Sequence, residues 1–250
     1  MPLPARTSEL RLTALAAFVA IALLAPVSGA ASPERPPVPY EPMRVANGCF
    51  VESVACFDAF HEAAGDEAWA RVLQWGAQEA EVMVAGHAVA IVASSGRLWC
   101  FDINHGWMPL AVDPDRRDAA DVVAAPVLAK YPRVTAFYPV LWGDGSQEPG
   151  PSYEDPADPD TAARDAGLVA ARLARHRPVN LVAFSLPENG EFRTSEAVVF
   201  VFGGRMCVYS PERGTMIFRA RSSVWNVRLV QDMLRRMFPG SERVRTLPHG

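Results

Sequence analysis

The stretch Gly86-His87-Ala88-Val89-Ala90-Ile91-Val92-Ala93-Ser94-Ser95-Gly96-Arg97-Leu98-Trp99-Cys100-Phe101-Asp102 decides the fold. Two apolar runs rich in β-branched and aromatic residues flank Ser94-Ser95-Gly96, a good hairpin turn. Residues 81–93 and 97–102 are therefore read as paired antiparallel strands. Upstream, Val51, Val54, Ala55, Phe57 and Phe60 recur near helical spacing from Asn47 to about Ala64, with Asn47 as a cap and Gly65 as a stop. Ala70–Trp75 reads as a strand between that helix and the hairpin. The expected class is α+β, an antiparallel sheet with packed helices.

Three side chains fall in a chemically meaningful order on these elements. Cys49 opens the helix, His87 lies inside the first hairpin strand, and Asp102 closes the second. A thiol attacks as thiolate, and the N–H groups and dipole of a helix N-terminus favour that form. A histidine on a nearby strand can take the proton, and a carboxylate on the next strand can orient the ring. Taken singly, each has an ordinary explanation: a buried thiol, a core histidine, a turn former. In this order they form a candidate catalytic triad, with Asn104 and His105 as the other candidates for the orienting group.

The arrangement resembles the papain-like cysteine peptidases, most closely their transglutaminase-like branch and its bacterial cysteine peptidases. In that branch a Cys begins the core helix, and His and Asp follow on consecutive antiparallel strands. Trp69-Ala70-Arg71-Val72-Leu73 is similar to the family's strand after the helix. The resemblance covers about residues 45–110. Phe50 stands where transglutaminases usually carry Trp, and no acidic residue follows His87 two or three positions on. The resemblance implies a papain-like core and a cysteine-dependent amide hydrolase (peptidase or amidase) acting on a protein or peptide. Cys49 would be the nucleophile, His87 the general base and acid, and Asp102 the orienting group. The alternative is a non-catalytic binding or structural module with a degenerate peptidase-like fold.

Residues 1–30 read as a secretory signal: Arg6 and Arg11, an apolar run from Leu12 to Val27, then Ser28-Gly29-Ala30. A secreted or periplasmic location follows, with no stable membrane insertion after cleavage. Residues 31–44 are a Pro-rich extended lead-in, 45–142 the catalytic unit, 143–157 a linker, and 158–250 a second, degenerate α+β unit. In the first unit a helix over 116–130 and a strand over 134–142 complete the set. The second unit reads as a helix at 161–175, a strand at 179–185, a hairpin at 195–210, a helix at 224–238 and a strand near Val244.

The shared order suggests an internal duplication. Placing His87 on Glu196 aligns Ala88/Ala197, Val89/Val198 and Val92/Val201. One deleted residue later, Gly96/Gly204, Arg97/Arg205, Gly106/Gly214 and Met108/Met216 follow. Ser210 then falls on Asp102, so the second copy lacks the chemistry of the first.

Composition narrows the remaining classes. With 24 Lys and Arg against 28 Asp and Glu, the net charge of −4 gives no footprint for nucleic acid or an anionic membrane. His61, His176 and His249 lack metal-ligand spacing, and no Gly-rich phosphate loop is present, so no metal and no cofactor is expected. Of the four cysteines, a Cys56–Cys100 disulfide is geometrically conceivable, and buried free thiols are the simpler reading.

Overall fold

In the computed structural model, residues 37–65, 68–79, 82–131, 140–142, 159–221 and 226–247 are described. The expected signal segment and linker lie outside them. Among the described residues no helix is long and apolar enough to cross a membrane.

A helix, α1 (Cys49–Ala64), leads into a four-stranded meander: β1 (Ala70–Glu79), β2 (Val82–Ser94), β3 (Arg97–Asp102) and β4 (Gly106–Leu110). After a 3-10 turn at Pro114–Arg116, α2 (Ala120–Leu128) crosses back and β5 (Val140–Trp142) pairs antiparallel with β1. The second half repeats the plan with α3 (Pro159–Leu173), β6 (Val179–Glu188), β7 (Glu191–Phe202), β8 (Arg205–Ser210), β9 (Gly214–Arg221), α4 (Val227–Met237) and β10 (Glu242–Leu247). The sheet orders, β5-β1-β2-β3-β4 and β10-β6-β7-β8-β9, are the same when read from the returning strand. Among the described residues the class is α+β, built on two antiparallel sheets and four helices.

Side-chain alternation along the strands divides each sheet into two apolar faces. The outer face of the first sheet carries Leu73, Trp75, Val89, Ile91, Leu98 and Cys100, and α2 covers it with Val123, Ala124 and Val127. On the second sheet Val182, Phe184, Ala197, Val199, Met206 and Val208 take the same role under Val230, Met233 and Leu234 of α4. The inner faces share one cluster. Val72 and Ala88 of the first sheet and Val198, Phe200 and Cys207 of the second enclose Phe50, Val51 and Val54 of α1 and Ala166, Val169 and Leu173 of α3. A helix packed between two sheets has little solvent-facing surface. Ten of the α1 residues are accordingly buried, from Cys49 to Phe60.

The register corrects the expected alignment of the halves. Trp75 pairs with His87 as Phe184 pairs with Ser195, and both hairpins turn at equivalent residues, Ser95-Gly96 and Gly203-Gly204. Ser195, rather than Glu196, therefore occupies the His87 place, while Ser210 occupies that of Asp102. The sequence match slipped by one because both strands are runs of Ala and Val, and a one-residue slip preserves apolar identity while reversing every face.

Other boundaries also move. The helix expected over 116–130 is confined to Ala120–Leu128, with Pro114 opening the 3-10 turn before it. Of the strand expected over 134–142, residues 140–142 pair with β1 and 132–139 lie outside the described residues. All four cysteines are free. Cys56 packs with Ala90 and Phe101 on the inner face, whereas Cys100 belongs to the outer one, so the sheet itself separates the two thiols.

Candidate functional site

Cys49 is placed by a tight approach to α1. Gly48 caps the helix, and a Cβ on it would meet Val45 Cγ2 at 2.4 Å and the Val45 carbonyl oxygen at 2.8 Å, so only glycine fits. Asn47 is not the cap: it sits at φ 52° and its side-chain amide donates to the Pro211 carbonyl at 2.6 Å. Two further bonds from the second half hold this segment. The Ala46 N–H donates to Asp165 Oδ2 at 2.8 Å, and the Tyr209 hydroxyl donates to the Ala46 carbonyl at 2.5 Å. One turn further along, the fully buried Glu52 accepts from the Tyr40 hydroxyl (2.8 Å), Met43 N–H (3.1 Å) and Arg44 N–H (2.5 Å), pinning the lead-in to α1.

His87 stands on β2 beyond the last pairing with β3, which is Ala90↔Phe101. Its ring lies against Trp75, with centroids 5.1 Å apart. Asp102, at the end of β3, is fully buried. A carboxylate only accepts, so His87 Nε2 carries a proton and donates to Asp102 Oδ1 at 3.1 Å. The Asn104 N–H donates to the same oxygen at 2.8 Å, an Asx turn that fixes the carboxylate relative to its own loop.

With Nε2 committed, Nδ1 is the nitrogen left for Cys49, whose thiol donates to the carbonyl of Gly86, the residue before His87, at 3.9 Å. Burial opposes the charged imidazole. The Asp102 hydrogen bond, then the hydrogen bond and charge of Cys49, overcome it and hold the His87 pKa up at about 10. Burial likewise works against the Asp102 anion, but the hydrogen bond and charge of His87, with help from Tyr131 and Asn104, keep it below the usual carboxylate range. The structure thus brings Cys49, His87 and Asp102 to one place, although Cys49 is only 5 % exposed.

One residue at the site escaped the sequence reading. Tyr131, three positions after α2, donates its hydroxyl to Asp102 Oδ2 at 2.5 Å and lies 3.0 Å from His87 Nε2. The sequence signal was Tyr131-Pro132 at the helix end, matched by Phe238-Pro239 in the second half. Of the alternative orienting groups, Asn104 donates its side-chain amide to the Tyr131 hydroxyl at 3.2 Å. His105 packs on the Tyr131 ring with centroids 5.4 Å apart. Neither displaces Asp102 from His87. At the matching places in the second half, Ser195 donates to Glu212 within a cluster that Arg193 completes, and Ser210 Oγ accepts from the Glu212 N–H at 3.3 Å. Among the described residues no group of three His, Cys, Asp or Glu is placed to hold a metal ion.

Compared with known proteins, the chain has no match to any protein-family model, to any curated protein or to any solved structure.

Proposed function

We propose that the chain is an exported cysteine-dependent amide hydrolase, a peptidase or amidase acting on a protein or peptide, with a transglutaminase-like arrangement of Cys49, His87 and Asp102. The observation that carries this reading is the 3.1 Å bond from His87 Nε2 to buried Asp102, with the Cys49 thiol bonded to the carbonyl of Gly86 next to His87 in the chain. A nucleophile beside the strand that carries a base, and an orienting group bonded to that base, are the parts thiol catalysis needs.

In that reaction the Cys49 thiolate adds to the amide carbon, and N–H groups at the start of α1, which have no intrahelical acceptor, stabilise the oxyanion. The His87 imidazolium gives its Nδ1 proton to the departing amine as the C–N bond breaks, leaving a thioester. Neutral His87 then takes a proton from water as it attacks. Collapse releases the carboxylic acid and returns the thiolate. Asp102 keeps Nε2 protonated throughout, so Nδ1 is the nitrogen that exchanges.

A non-catalytic module is the second reading, favoured by the low exposure of Cys49, 5 %. Thiol alkylation separates the two. Cys56, Cys100 and Cys207 are fully buried. A working triad makes Cys49 react with iodoacetamide at neutral pH far faster than a denatured-chain cysteine, and Cys49→Ala removes both that reaction and amide hydrolysis. Wild-type hydrolysis by Cys49→Ala would overturn the proposal.

A further inference from the structure

We propose that Tyr131 is a positioning residue of this site, its hydroxyl locking the Asp102 carboxylate and thereby the His87 ring in the orientation that faces Cys49. The inference rests on the Cys-His-Asp reading above and adds to it a residue that neither the motif nor its spacing contains.

Three side chains close a ring of hydrogen bonds. His87 Nε2–H donates to Asp102 Oδ1 (3.1 Å), Tyr131 OH donates to Asp102 Oδ2 (2.5 Å), and the Tyr131 oxygen lies 3.0 Å from His87 Nε2. The Asn104 side-chain amide donates to the Tyr131 oxygen at 3.2 Å, which leaves the hydroxyl proton no better acceptor than Oδ2. Among the described residues, Oδ1 has two donors and Oδ2 has Tyr131 alone. A fully buried carboxylate lacking a donor on one oxygen is free to rotate toward whatever donor it finds, and the imidazole would follow it. Burial and the Asp102 bond push the Tyr131 phenol well above its ordinary range, so it stays a donor and takes no proton from the reaction.

The second half of the chain is an internal control. Phe238 stands where Tyr131 stands, packing on Phe184 with centroids 5.0 Å apart, as Tyr131 packs on Trp75 at 5.6 Å. Phe184 pairs with Ser195 and Trp75 with His87. The fold therefore needs an aromatic ring at this position in both halves. The hydroxyl occurs only where a His–Asp pair is present for it to bond.

Tyr131→Phe tests this, because it copies what the second half already tolerates. The readouts are the rate of Cys49 alkylation by iodoacetamide across pH 4 to 9 and the titration of the Asp102 carboxyl followed by carbon-13 NMR. Removing a donor from the anion raises its pKa, so the acid limb of the alkylation profile should move up by about one pH unit, the worth of one hydrogen bond to a charged group. The carboxyl titration should move with it, while circular dichroism stays that of the wild type. If wild-type Cys49 is activated and both profiles of Tyr131→Phe superpose on it, Tyr131 is merely packing and the proposal is overturned with the triad intact. If wild-type Cys49 is no more reactive than a denatured-chain thiol, the triad reading fails. The carboxyl titration then decides for Tyr131 alone, an unshifted one overturning its role. A Tyr131→Phe chain that does not fold would also overturn the proposal, since the hydroxyl would then be needed for structure.

Discussion

Replacing Arg177 by Met removes a guanidinium that faces Asp58 of α1 from the segment between α3 and β6, while keeping most of the aliphatic stem. Arg177 grips both carboxylate oxygens, one of them at 3.1 Å, donates to the Val201 carbonyl at 2.9 Å and lies over the Phe202 ring at 5.1 Å. Its side chain is 13 % exposed and that of Asp58 6 %. Deleting one partner of such a pair strands a buried charge, at a cost of about 3–5 kcal/mol. For a chain of this size that lowers Tm by about 10 °C. The pH dependence carries the sign. Burial raises the Asp58 pKa above its unfolded value, and Arg177 opposes that rise. Without Arg177 it climbs further, so the folded state holds a proton that the unfolded chain releases. Stability of the variant then falls as pH rises between the two pKa values. Urea unfolding of wild type and Arg177→Met at pH 5 and pH 7.5 should show the larger penalty at pH 7.5. Adding Asp58→Leu should recover most of it, because an apolar pair needs no counter-charge. A penalty below about 1 kcal/mol, or one unchanged between the two pH values and not relieved by Asp58→Leu, would refute the reasoning.

Glu52→Gln keeps one acceptor but turns an amide N–H₂ toward donors at Tyr40, Met43 and Arg44. It should cost about 2–3 kcal/mol in urea unfolding and hasten proteolysis within residues 37–45. His87 is held at about 10, above the ordinary histidine value of 6.5, so its protonated form stabilises the fold below about pH 6.5 and the contribution is lost as pH rises through 10. The stability gap between wild type and His87→Gln should therefore narrow from pH 6 to pH 10 in parallel urea titrations. A constant gap would remove the charge argument.

The helix from Cys49 and the hairpin around Ser94-Ser95-Gly96 were legible because each announces itself within a dozen residues. Ser95 at φ 53° and Gly96 at φ 73° make the two-residue turn their composition implies. β4 was not legible. Gly106-Trp107-Met108-Pro109-Leu110 contains a proline, which usually argues against a strand, but β4 is an edge where the missing N–H leaves no gap in the ladder. The β6–β7 hairpin was under-read although Asn189-Gly190, at φ 53° and 86°, is a strong turn signal, because Pro187 and charged neighbours hid the strand ends. The order of Cys49, His87 and Asp102 was visible along the chain. Tyr131 was not, since its place at the site depends on how α2 crosses the sheet, a long-range fact that no local pattern encodes. The one-residue slip between the halves has the same origin: alternation fixes a face only once a partner strand is known.

The helical layer shared by the two sheets sets how the chain can come apart. α1 and α3 belong to one apolar cluster with both inner faces, and the segment leading to Cys49 is tied to Asp165, Tyr209 and Pro211 of the other half. Each half keeps an outer cluster of its own, but its inner face and its first helix pack into the one cluster the halves share, so melting one would turn the other's helix out into water. The two halves therefore unfold in a single cooperative transition, without a stage in which one persists alone. The half whose strands carry only serines at the matching places is in this sense a scaffold for the other: its stability sets how long Cys49 stays in register with His87.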